Sequence, residues 1–155
     1  MLAKGTVAPE FELADQTGRT CSLSGLLNEG PLILYFYPAD FTPGCTKEAC
    51  SFRDLHGDLL RARLRVVGVS PQDSATHARF RTRHELPFTL LADTDKHVIR
   101  EYGVDGPMGL GVRRATFLIT PAGRVADAVL ADLRIGRHEQ FIRRAIESAA
   151  SSETH

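Results

Sequence analysis

A cysteine set three residues after a threonine, at the start of an amphipathic repeat, is the feature of this sequence that reads as chemistry. Pro38 and Cys45 are separated by Ala39-Asp-Phe-Thr42-Pro-Gly44, and from Thr46 to Arg63 apolar residues recur at helical spacing: Ala49, Phe52, Leu55, Leu59, Leu60 and Ala62. The spacing predicts one long helix that begins at Cys45. A helix N-terminus presents unpaired backbone N–H groups and a partial positive charge of roughly half a unit, and both favour a thiolate over a thiol. Cys45 is therefore the candidate nucleophile. Its alternative is a small packing residue, the common fate of an unpaired cysteine. A packing residue has no need of a hydroxyl three positions earlier or of an electropositive site.

The elements that must position this cysteine follow from the hydrophobic pattern. Leu32 to Tyr37 is a continuous apolar and aromatic run, expected as a central strand buried on both faces, and it delivers the chain to Pro38. Before it, Phe11 to Ala14 and Thr20 to Leu23 flank Asp15-Gln-Thr-Gly18 and predict an N-terminal hairpin. After it come a strand over Leu64 to Ser70, a polar helix over Asp73 to His84, a short strand over Phe88 to Leu91 and a helix over Thr94 to Tyr102. A loop from Gly103 to Gly111 leads to a strand over Ala115 to Thr120. A turn at Pro121-Ala-Gly123 then returns an antiparallel strand over Arg124 to Leu133, and a last helix spans Arg137 to Ala149. This order predicts an α/β fold: a central mixed sheet, mostly parallel and flanked by helices on both faces, with an antiparallel edge. One domain would account for residues 1 to about 150, and residues 151–155 would be a frayed tail.

Composition excludes several classes of function. Lys plus Arg and Asp plus Glu are both 19, so no broad positive field exists to attract nucleic acid or an anionic membrane surface. No apolar run has the length of a signal peptide or a membrane span, which leads us to expect a protein that stays in the compartment where it is made, the cytoplasm. The six histidines are scattered and no C-x-x-C occurs, so neither a metal nor an organic cofactor is expected. The glycine-rich stretch Gly106 to Gly111 has neither phosphate-binding spacing and reads as a loop. Cys21 lies in the hairpin pattern and reads as packing.

Pro38-x-x-x-Thr42-x-x-Cys45 resembles the active-site signature of the peroxiredoxins, and Phe41-Thr-Pro-Gly-Cys-Thr-Lys-Glu-Ala-Cys50 is similar to their bacterioferritin comigratory protein, or peroxiredoxin Q, branch. The likeness extends from Ala8-Pro-x-Phe11 through Tyr35-Phe-Tyr-Pro38 to Arg114-Ala-Thr-Phe117. It implies a thioredoxin-like fold and a thiol-dependent peroxidase that reduces hydrogen peroxide and organic hydroperoxides. Cys45 would then be the attacking thiol, Thr42 the hydroxyl that orients the peroxide and Pro38 the shield of the thiolate. Arg114 would stabilise thiolate and peroxide, and Glu48 would support the hydrogen bonding. A surface charge is the alternative for Arg114, and a helix-dipole partner the alternative for Glu48. Adjacent Arg113 points to the opposite face of the strand, and the choice of Arg114 rests on the resemblance alone.

The same resemblance implies that Cys50 resolves Cys45 as a disulfide, recycled by thioredoxin or a similar dithiol, in a monomer; the balanced charge and short apolar runs add the expectation of no nucleic-acid or membrane partner. Five residues apart in an intact helix, two Cα atoms lie about 8 to 9 Å from each other, and a disulfide needs less than about 7 Å. Resolution would therefore require the first turns of the helix to unwind. The alternatives are a packing role for Cys50 in a one-cysteine peroxidase resolved by an outside thiol, and a peroxide-sensing module on the same fold. A thioredoxin-like disulfide oxidoreductase would carry C-x-x-C and a proline before Ala115, and the chain has neither.

Overall fold

All five residues from Leu32 to Phe36 are buried, a pattern open only to a strand covered on both faces. The structure is a computed structural model and describes residues 1–130 and 136–153. In chain order the strands are β1 (Glu12–Ala14), β2 (Thr20–Ser22), β3 (Leu32–Phe36), β4 (Arg65–Ser70), β5 (Thr89–Ala92), β6 (Ala115–Ile119) and β7 (Val125–Leu130). The helices are α1 (Leu23–Leu27), α2 (Pro43–Asp54), α3 (His56–Arg61), α4 (Ser74–Arg83), α5 (His97–Glu101) and α6 (Gly136–Glu153). The described strands form one sheet in the order β2-β1-β5-β4-β3-β6-β7, with β3, β4 and β5 parallel and the remaining pairings antiparallel. The mixed α/β sheet flanked by helices is the architecture expected from the pattern, but it is not mostly parallel as expected: only β3–β4 and β4–β5 run parallel, because β6 enters antiparallel beside β3 and the hairpin β1–β2 joins β5 antiparallel through Ala14 against Ala92.

Alternate residues of β3 serve two cores, as a pleated strand requires. Leu32, Leu34 and Phe36 pack with Leu26 and Leu27 of α1 and Val98 and Ile99 of α5. Ile33, Tyr35 and, just beyond the strand, Tyr37 pack on the other side with Cys45, Ala49 and Phe52 of α2, Phe80 of α4 and Ile142 of α6. Helix α2 is thus pressed onto the sheet at the carboxyl end of its central strand, where chemistry gathers in open α/β folds.

Several boundaries differ from the sequence pattern. The long helix expected from Cys45 to Arg63 starts two residues earlier, at Pro43, and is divided at Leu55, where φ −92° and ψ 0° interrupt the spiral. Leu55, Leu59 and Ala62 are nevertheless buried, because the apolar repeat reports which face is covered and is blind to a one-residue break. Helix α1, expected as the end of a strand, forms because the Ser22 side chain accepts from the Gly25 N–H and caps it. Helix α5 is confined to His97–Glu101, since the buried Asp93 carboxylate accepts from the N–H groups of Val98 and Ile99 and holds residues 93–96 as a turn. Helix α6 runs on to Glu153, into the stretch expected to fray; residues 154–155, and residues 131–133 of the expected last strand, lie outside the described residues.

Gly68 shows how tightly the layer beneath α2 is built. It pairs with Tyr35 across β3 and β4, and a Cβ there would meet Cε1 and Cζ of the Tyr35 ring at 2.8 Å and Leu90 Cδ2 at 3.0 Å. The ring cannot retreat, being packed against Tyr37, Phe52 and Phe88 at centroid distances of 5.2, 4.5 and 6.0 Å. Gly68→Ala is expected to destabilise the fold by about 1–3 kcal/mol, the usual range for overpacking a filled core. Urea denaturation of the purified variant measures this, and an unchanged midpoint would show that the ring layer has slack.

Candidate active site

Thr42 stands at the cap position of α2 with extended backbone angles, Pro43 fills the first helical position and Cys45 the third. Proline suits that position because its missing N–H would have had no partner in the helix. The first helical bond runs from the Thr46 N–H to the Thr42 carbonyl at 2.9 Å. Thr42 Oγ1 makes no capping bond to the helix and donates instead to the Ala39 carbonyl at 3.0 Å, which folds the Pro38–Thr42 loop on itself. Cys45 is therefore carried among the first N–H groups of α2, which no helical carbonyl reaches.

Arg114 meets it from the opposite side. Ala115 pairs with Phe36, the last residue of β3, so the residue before Ala115 stands level with Tyr37 at the strand end where the loop to α2 begins. Its Nη1 donates to Cys45 Sγ at 3.3 Å and to Glu48 Oε1 at 3.0 Å. Cys45 and Glu48 are three residues apart on one helix, hence on the same face, and a single guanidinium can serve both. All three groups are sheltered: Cys45 is 1% exposed, Glu48 fully buried, and the Arg114 side chain 11% exposed. Burial works against the Arg114 charge, but the Glu48 carboxylate and the Cys45 sulfur outweigh it and hold the guanidinium above its ordinary value. Arg113 is exposed, and its backbone N–H donates to the Val104 carbonyl, so the guanidinium that reaches the sulfur is that of Arg114.

Beneath the sulfur lie two stacked tyrosines. The Tyr35 hydroxyl is buried with no hydrogen-bond partner among the described residues. Burial first, and then the negative charge of Glu48, push its titration well above the usual phenol range, so it stays a neutral wall of the site. In front, an open cleft of about 680 Å³ is lined by Pro38, Asp105, Pro107, Leu110, Val112 and Arg114. Its loop exposes Leu110, and Met108 is almost wholly exposed.

Of the residues singled out in the sequence, the structure brings Cys45, Glu48 and Arg114 into contact, sets Pro38 in the cleft wall and places Thr42 at the helix cap. Cys50 is half-buried on the continuous part of α2, and all three cysteines are free. Cys21 is half-buried in the hairpin, with Sγ 3.9 Å from Asp15 Oδ2. One cluster has metal-ligand spacing among the described residues: Asp93, Asp95 and His97. Asp93 already caps α5, and His97 Nδ1 lies 2.5 Å from Asp95 Oδ1, so hydrogen bonding within the chain accounts for it. Sequence reasoning passed over Asp40 and His77, whose side chains meet in the interior 2.5 Å apart. The available signals were the position of Asp40 inside Pro38-x-x-x-Thr42 and the spacing of His77 to Phe80 on one face of α4.

The fold and this site define a thioredoxin-like protein with a thiol at a helix N-terminus, set against a buried arginine. The sequence model of the AhpC/TSA family matches residues 4–128. Chloroplastic peroxiredoxin Q of Triticum aestivum is 45% identical over 125 residues, covering 80% of this chain and 57% of that protein. The Arabidopsis thaliana protein is 44% identical over 123 residues, covering 79% and 56%. The chain thus spans a little over half the length of these curated relatives. Among solved structures, peroxidoxin BcpB of Mycobacterium tuberculosis superposes with a TM-score of 0.88 at 36% identity, covering 97% of this chain and 98% of that one. A Xanthomonas campestris bacterioferritin comigratory protein, studied for alkyl peroxide reduction, superposes at 0.82 with 29% identity, covering 90% and 92%. The chain belongs to the AhpC/TSA family of peroxiredoxins, in the peroxiredoxin Q and bacterioferritin comigratory protein branch.

The Arg114–Glu48 pair should be strongly coupled. Removing one member of a buried ion pair leaves the other charge uncompensated, at a cost of about 3–5 kcal/mol, whereas replacing both by apolar residues can be close to neutral. Arg114→Met alone is therefore expected to destabilise the fold more than Arg114→Met combined with Glu48→Leu. A double-mutant cycle by urea denaturation checks this, and simple additivity would show that the two groups do not act as a pair.

Proposed function

We propose that this chain is a thiol-dependent peroxidase that reduces hydrogen peroxide and organic hydroperoxides, with Cys45 as the attacking thiol. The observation that carries the proposal is the Arg114 guanidinium, held 3.3 Å from Cys45 Sγ at the N-terminus of α2. The alkyl peroxide reduction studied in the Xanthomonas campestris relative supports organic substrates, and the open cleft beside Pro38 and Leu110 has room for their carbon chains.

The Cys45 thiolate attacks the terminal oxygen of ROOH in line with the O–O bond. The S–O bond forms as the O–O bond breaks, the sulfur is oxidised to sulfenic acid, and the alkoxide leaves and takes up a proton as alcohol, or as water from hydrogen peroxide. Negative charge moves from sulfur to the leaving oxygen during this step. Fixed donors stabilise it there: the Arg114 guanidinium and the N–H groups at the start of α2, joined by the Thr42 hydroxyl once its hydrogen turns from the Ala39 carbonyl to the peroxide. Pro38 walls the site from water, and Glu48 fixes the Arg114 guanidinium over the sulfur.

The Cys50 thiol then attacks the sulfenic sulfur, forming the Cys45–Cys50 disulfide and releasing water. Thioredoxin or a similar dithiol restores both thiols by exchange. An unbroken helix separates the two Cα atoms by about 8 to 9 Å, so α2 unwinds in its first turns during this step. We carry the monomeric state and cytoplasmic location expected from the sequence as parts of the same proposal. Sedimentation and fractionation test them.

Peroxide-dependent NADPH oxidation with thioredoxin and its reductase tests the reading. Cys45→Ser should abolish turnover. Arg114→Ala should lower kcat/KM by about 10²–10³-fold, the usual effect of losing one pre-aimed donor to a developing anion. Cys50→Ser should prevent the internal disulfide; sustained turnover in that variant would make the protein a one-cysteine peroxidase resolved by an outside thiol.

A further inference from the structure

Tyr37, Asp40 and His77 form a buried polar cluster that the chemistry above does not use. Tyr37 Oη donates to Asp40 Oδ1 at 2.6 Å, His77 Nδ1 lies 2.5 Å from Asp40 Oδ2, and His77 Nε2 lies 3.0 Å from the Leu91 carbonyl. None of the three residues exceeds 5% exposure. A carbonyl only accepts, so His77 Nε2 carries a hydrogen and donates it to Leu91. The Nδ1 to Oδ2 contact then holds one further proton between imidazole and carboxylate, and the pair is neutral as a unit. A satisfied buried network of this kind is rigid, and deleting one member strands the others.

Its place in the chain gives the cluster its meaning. Asp40 is the midpoint of the loop that delivers Thr42 and Cys45. His77 and Phe80 lie on one face of α4, His84 caps its C-terminus, and together they grip the loop: the Phe80 ring meets Phe41 edge-on at 5.1 Å and 72°, and the His84 ring lies 6.3 Å from Phe41. Phe41 has φ 66°, a left-handed conformation that a bulky residue keeps only where its surroundings hold it. Toward the far end of α2, Arg53 Nη1 donates to the His84 carbonyl at 2.8 Å. Helix α4 thus holds the chain just before α2 and again near its end. The stretch from Thr42 to Cys50, which must unwind for Cys45 to meet Cys50, lies between the two holds.

We propose that the Asp40–His77 pair, with Tyr37, is the latch that positions the Cys45 loop and sets the balance between the wound and unwound forms of α2. This rests on the reading of Cys45 and Cys50 as the redox pair. With the latch made, Cys45 faces Arg114 and reacts with peroxide. Loosening it favours the unwound form, in which the sulfenic acid of Cys45 and the thiol of Cys50 join as a disulfide and release water. Asp40 and His77 are positioning residues and touch neither reacting sulfur.

Rapid quenching after one equivalent of hydrogen peroxide, with alkylation and mass spectrometry, follows sulfenic acid formation and disulfide closure separately. Asp40→Ala and His77→Ala should slow the first step about tenfold and speed the second several-fold, as expected when roughly one buried hydrogen bond is lost from the wound form alone. Asp40→Asn can still accept from Tyr37 and donate to His77 Nδ1, and should keep both rates within about twofold of the parent. Phe41→Ala removes a ring that is 47% exposed and outside the buried core, and should move both rates in the same directions by a smaller factor. It decides the matter if the alanine variants of the buried pair do not fold. Both steps slowing together, or neither moving, would overturn the latch. In a Cys50→Ser background the slower first step is still required. A parent that closes no disulfide would therefore overturn the redox pairing separately from the positioning role.

Discussion

A guanidinium buried between a sulfur and a carboxylate must be satisfied by both, and almost every feature of this fold near the site serves that requirement. Arg114 can reach Cys45 and Glu48 together only because they are three residues apart on α2, with Cys45 in its first turn. It can approach them only because β6 runs antiparallel beside β3, so that the residue preceding β6 meets the chain just as β3 ends. Moving the start of α2 by one residue would rotate the pair by about 100° and leave the arginine charge without either partner.

The aromatic layer under α2 supplies the floor for this arrangement. Tyr35 and Tyr37 point to the same face of the sheet, stack on each other and seat Ala49 and Phe52 of the helix. Gly68 opposite Tyr35 makes room for the ring, a case where the absence of a side chain on one strand permits a large one on its neighbour. The layer also excludes water, which strengthens the attraction between Arg114 and its two partners relative to the same groups at the surface.

The site combines rigid support with a helix that changes shape if Cys45 and Cys50 pair as proposed. The sheet, α4 and the aromatic floor are continuous packed structure, while the first turns of α2 depend on Thr42, Pro43 and the loop before them. Such a division lets a local rearrangement occur without loss of the core, since opening free energies differ from one part of a fold to another. With both cysteines on the changeable element and the arginine on the rigid one, the proposed exchange of thiol partners would leave the anion-stabilising charge at the site.

Much of this was legible in the sequence, and the residues that were not share a physical reason. The central strand, the order of the strands and longer helices, and the placing of Cys45 in the first turn of α2 follow from local periodicity and from Thr42-Pro-Gly, because each depends on neighbours within a few positions. The break at Leu55 and the shortening of α5 were not legible, since a buried face continues across a kink and a capping carboxylate is recognised only once it is seen to be buried. The pairing of Asp40 with His77 joins residues 37 positions apart, and the contact of Arg114 with Cys45 joins residues 69 apart. No spacing rule connects such residues, and Arg114 was named from the sequence only through the family resemblance. The sequence alone determined which thiol is presented at a helix start and on what class of fold. Only tertiary packing decided which charges surround that thiol and what holds its loop in place, because those contacts exist only where strands and helices distant in the chain are brought together.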